Sequence, residues 1–162
     1  MNRMVQLQES GRYDDAVRVV QDWMSQHRND TSQDDFLHLQ IAMVYISKAY
    51  RRPSTRDESL RNSALHLEQA LTLYASKKPE DVDTLLYGIG GAYEMLGDAS
   101  PTDKCQHFAK ARKAFKDQLP LIKGDSYTAY GHTTPLEPLR ADVRKHLTSV
   151  EEESTQAGCN VP

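Results

Sequence analysis

Gly124-Asp125-Ser126, with His132 a short way beyond, is the stretch whose residue types come nearest to nucleophilic chemistry. A serine nucleophile needs a strained turn after a strand, an oriented base and oxyanion donors. The flanking residues offer no alternating run long enough for a strand and no glycine-rich donor loop, so no catalytic residue is assigned. Gly88-Ile89-Gly90-Gly91 has the composition of a phosphate-cradling loop. That motif follows a strand and opens a helix, whereas these glycines sit mid-helix between Leu86 and Tyr93. They are read as letting two helices approach closely. His27, His38, His66, His107, His132 and His146 are scattered, with no i, i+4 pair and no HExxH. Asp14-Asp15, Asp34-Asp35 and Glu151 to Glu153 read as helix-start or solvated charges rather than a cation cage. Cys105 falls in a helical stretch and Cys159 in a polar tail, and neither belongs to a CxxC motif. No disulfide is expected between them, and this usage points to a reducing compartment. No metal and no cofactor are expected.

The elements that would position these residues are helices. Apolar residues recur at helical spacing nearly throughout the 162-residue chain. One stripe is Tyr13, Ala16/Val17, Val20 and Trp23/Met24. The next is Phe36, Leu39, Met43, Ile46 and Tyr50, on a helix that also carries Leu37, Ile41, Val44 and Tyr45. Such a helix is apolar almost all round and is expected to be covered on more than one side. Leu60 to Tyr74, Val82 to Leu96, Phe108 to Leu119 and Leu136 to Val150 continue the pattern. Ser100-Pro101-Thr102-Asp103 and Thr134-Pro135-Leu136-Glu137 are helix starts, the second with Pro138 as an alternative first turn. Gly11 and Gly97 are read as left-handed residues just past helix ends. Ile122 to Thr134 is read as a loop.

Composition narrows the function classes. Charged residues make up 27%, mean hydropathy is −0.68 and the net charge is −3. Both signs are interspersed, which argues against a general polyanion binder. The chain reads as soluble, with no window near the ~20 apolar residues of a membrane span. Met1-Asn2-Arg3-Met4-Val5 leads into no long apolar run, so no signal peptide is expected. Together with the cysteines this gives a cytoplasmic expectation.

Ile89-Gly90-Gly91-Ala92-Tyr93 followed by Gly97-Asp98, Ile41-Ala42-Met43-Val44-Tyr45, and Gly11-Arg12-Tyr13 with Ala16-Val17 carry one shared helix-pair pattern. In these residues the chain resembles the tetratricopeptide repeat family, whose unit of about 34 residues stacks into a solenoid. Ala70-Leu71 and Ala114-Phe115 match its late small-large pair. The resemblance covers roughly residues 1–119 and departs from the family in two ways. The interval from Tyr45 to Tyr93 exceeds one unit, and the first helix A lacks its opening turn.

The resemblance implies an all-α, TPR-like alpha-alpha superhelix of about three helix pairs plus a C-terminal capping helix. One domain is expected over residues 1–152, with repeats at about 1–30, 31–78 and 79–122, a capping helix at about 135–152, and a polar tail over 153–162. In that family the concave face is lined by helix A, which carries over to Val5, Gln8 and Glu9, then Leu39, Met43, Ile46 and Ser47, then Tyr87, Gly91, Glu94 and Met95. The expected function is a non-enzymatic scaffold that binds a helical or extended peptide, or associates with itself as a homodimer. Nucleic acid and membrane are not expected partners. RNA binding, which related helical repeats perform, and a small enzyme remain the rival classes. The first lacks basic and stacking residues along the groove, and the second lacks an assembled base, nucleophile and oxyanion site.

Overall fold

The helical period is realised as seven α-helices among the described residues. The structure is a computed structural model that describes residues 2–28, 30–74, 82–100, 102–129 and 132–159. In chain order the helices are α1 (Asn2–Glu9), α2 (Tyr13–Gln26), α3 (Asp34–Arg51), α4 (Arg56–Tyr74), α5 (Val82–Ala99), α6 (Lys104–Gln118) and α7 (Glu137–Gln156). The chain is therefore all-α, apart from one small hairpin. It divides into two units, Met1–Pro79 and Glu80–Pro162.

In the first unit α1 packs on α2, α2 on α3 and α3 on α4. Gly11, at φ 74°, ends α1 as the sequence suggests. The Arg12 amide reaches back to the Leu7 carbonyl and the Gly11 amide to that of Gln8. These two hydrogen bonds satisfy two orphan carbonyls and turn the chain into α2. Met4, Tyr13, Val17, Val20, Leu37 and Ile41 bury together. On the other side of α3, Ala42 and Ala49 are buried, as are Ser59, Ser63 and Ala64 of α4. Small side chains let two helix backbones come close. Lys48 of α3, largely buried, donates to Asp14 Oδ1 of α2 at 2.6 Å. Breaking such a pair would leave the ammonium buried and uncompensated.

In the second unit α5 packs on α6, and α7 packs on both. Ile89 and Tyr93 are buried, as is Leu67 in the first unit, while Leu71 is half-buried. Gly97 is not a helix end. It lies inside α5, without a left-handed φ, and a Cβ there would strike the Phe108 ring of α6. The requirement at Gly97 is space, and the helix runs two residues further to Ala99.

Three further expectations are corrected. Residues 122–134 are not all loop. Ser126–Ala129 (β1) pairs antiparallel with His132–Pro135 (β2), Ser126 opposite Pro135 and Tyr127 opposite Thr134. Four-residue strands are too short to display a period, although Tyr and Thr favour them. The polar tail is not free either. α7 continues to Gln156, and Gly158 at φ 72° closes it, with the Cys159 amide on the Ser154 carbonyl and the Gly158 amide on that of Thr155. This turn folds Cys159 back, and Cys159 is disulfide-bonded to Cys105 beside the start of α6. The expectation of two unlinked cysteines fails because it treated residue 159 as outside any element. With it falls the cysteine argument for a reducing, cytoplasmic setting. No helix among the described residues is long and apolar enough to cross a membrane.

Candidate protein-interaction face

α3 presents two apolar sectors. Leu37, Ile41 and Val44 face the core, while Ala42 and Ala49 are buried on the adjoining side. The remaining sector carries Phe36, Leu39, Met43, Ile46 and Tyr50. Their spacing alternates three and four, the seam of a coiled coil. Phe36, Met43 and Tyr50 are 37%, 48% and 69% exposed, and Leu39 and Ile46 are half-buried. Val5 of α1 is 41% exposed, and Gln8 Nε2 of α1 donates to Ser47 Oγ of α3 at 2.8 Å. That bond holds α1 alongside the stripe. Glu9 is exposed at the end of α1. All seven first-unit residues named from the sequence thus belong to α1 or α3, and Gln8 and Ser47 are bonded to each other.

Phe36 and Tyr50 extend that set. The heptad spacing was visible in the sequence, but Phe36 and Tyr50 lie at the two ends of the helix, where the family register does not extend.

The flank of α3 towards α4 is polar and titratable. His38 Nδ1 and His66 Nδ1 stand 2.9 Å apart, so one ring must carry the shared proton. Tyr45 stacks on His66 at 6.0 Å between centroids. Burial first, and the neighbouring His38 second, lower the His66 pKa to about 4. Burial also lowers His38, with Asp34 opposing the shift. Burial raises the Tyr45 phenol. His38, His66 and Tyr45 are therefore neutral at pH 7.

The second-unit residues have different neighbours. Tyr87 donates to Asp142 Oδ2 of α7 at 2.6 Å, and Glu94 Oε2 lies 2.7 Å from His146 Nδ1 of α7. The His146 ring stacks on Phe115, and its Nε2 lies 3.4 Å from the Tyr87 hydroxyl. Through both nitrogens and a ring face, His146 joins α7 to α5 and α6. Gly91 and Met95 are half-buried on the same helix. Asp142 and His146 carry no local signal, because their role depends on how a later helix docks.

A concavity of about 470 Å³ between α1 and α2 is lined by Arg3, Arg12, Asp15 and Arg18, among others. Asp15 pairs with both Arg12 at 2.8 Å and Arg18 at 3.2 Å, so two of those cations share one negative charge. Among the described residues, no group of three or more His, Cys, Asp or Glu is placed to hold a metal ion.

No family model, no curated protein and no solved structure matches this chain.

Proposed function

We propose that this chain is a non-enzymatic protein-interaction module of TPR-like build, and that it seats a helical segment of a partner on the α1–α3 face. The observation that carries this reading is the exposed heptad stripe Phe36, Leu39, Met43, Ile46 and Tyr50 on a helix whose opposite side is already core. Contiguous apolar surface of this kind is seldom left open on a monomer. A 3-4-3-4 spacing fits the knobs of another helix better than an extended strand, whose side chains repeat every two residues. Met43 can adapt its shape to what it meets. The second-unit residues Tyr87 and Glu94 act in this reading as the attachment of α7, with Gly91 and Met95 beside them on α5.

The test is affinity capture with mass spectrometry, comparing the wild type with Met43→Glu and with Met95→Glu, each shown to keep its helical spectrum. The expected result is a protein partner that Met43→Glu loses and Met95→Glu retains. Partners that all survive Met43→Glu would refute the reading.

A further inference from the structure

We infer that the helix seated on α3 is α3 of a second copy of this chain, laid antiparallel across a two-fold axis at Met43. This rests on the reading of the α1–α3 face as a helix-docking surface, and names its occupant.

The stripe is close to a palindrome. Phe36 and Tyr50 stand one heptad to either side of Met43, with Leu39 and Ile46 between them. Turned end for end, α3 presents nearly the same sequence of shapes. Phe36 of one copy then meets Tyr50 of the other, Leu39 meets Ile46, and Met43 meets itself. A surface that is complementary to its own reversed copy is what an isologous two-fold interface requires.

Charge favours the antiparallel sense. The first turn of α3 carries Asp34 and the buried Asp35, and its last turn carries the exposed Arg51, Lys48 being buried and already paired with Asp14. Packed helices lie about 8–10 Å apart, comparable with the screening length of about 8 Å at physiological salt. An antiparallel pair sets each acidic end beside the other's basic end, and the helix dipoles oppose favourably. A parallel pair would stack like on like at both ends. Gln40 and Ser47 border one side, Ala42 and Ala49 lie towards the other, and none is charged.

The experiment has two parts. Sedimentation of the whole, oxidised chain is followed from low to high micromolar concentration, for wild type and Met43→Glu. In parallel, Met43→Cys, Phe36→Cys, Tyr50→Cys and, as a control on another exposed apolar residue, Leu65→Cys are treated with a short bismaleimide. The inference expects a concentration-dependent dimer that Met43→Glu converts to monomer. It expects Met43→Cys to cross-link to itself, and Phe36→Cys to cross-link to Tyr50→Cys in a mixture but not to itself, with no covalent dimer from Leu65→Cys. A chain that stays monomeric throughout, or Phe36→Cys joining to itself, overturns it. A monomer that still loses its captured partner on Met43→Glu would sink the self-pairing while leaving the docking face intact.

Discussion

Gly90 of α5 and Phe115 of α6 occupy one space: a Cβ on Gly90 would stand 2.5 Å from Cε1 of the fully buried Phe115 ring. Gly91, one residue on, faces open space. The two glycines therefore separate packing from propensity. Alanine gains up to ~1 kcal/mol of helix propensity at either site. At Gly90 the ring cannot move without disturbing the core, and overpacking costs roughly 1–3 kcal/mol. Denaturant unfolding should show Gly90→Ala destabilised and Gly91→Ala unchanged or more stable. Equal effects at the two positions would mean that α5 and α6 are not packed in this register.

The Cys105–Cys159 bond closes a sequence separation of 54 residues and holds the end of α7 to the start of α6. Cross-links of this kind contribute roughly 2–4 kcal/mol, chiefly by restricting the unfolded chain. Reduction, or Cys105→Ala with Cys159→Ala, should lower the unfolding midpoint while leaving the helical spectrum intact at low temperature. Alkylation without reductant should add no mass to the protein. Two alkylated thiols in protein never exposed to reductant would contradict the bond.

His38 and His66 give the first unit an acid sensitivity. Both have a folded pKa below the unfolded value, chiefly because burial disfavours the charged ring. The unfolded chain then binds more protons, so their contribution is fully present above about pH 6.5 and is lost as pH falls towards about 4. Urea midpoints should fall across that window, and less steeply in His66→Phe, which still stacks with Tyr45. An unchanged slope in the variant would assign the acid sensitivity elsewhere.

The helices were legible because a 3.6-residue period repeats over several turns in each. α3 is apolar over two sectors, one of them exposed, and its flank towards α4 carries His38 and Tyr45. What the pattern cannot say is which sector another element covers. Gly11 was legible as a helix end because a turn residue and a new stripe follow it. Gly97 looked the same locally, yet its neighbour in space is Phe108. The disulfide depends on the left-handed Gly158 turn, which only has meaning once α7 is known to reach Gln156. Asp142 and His146 meet Tyr87 and Glu94 across a long stretch of chain, and nothing local announces such a meeting.

The central claim is that the α1–α3 face receives a helix, and the methyl resonances of the methionines report on it directly. Met43 lies in the middle of the stripe, Met4 is buried in the first-unit core and Met24 packs against that core. With methyl-labelled methionine, the protein is titrated with a synthetic amphipathic helix bearing a leucine heptad seam, and separately diluted. The account predicts that the Met43 methyl shifts in one or both series while Met4 and Met24 hold still. A Met43 signal that stays fixed in both, at peptide concentrations where other resonances move, would contradict it.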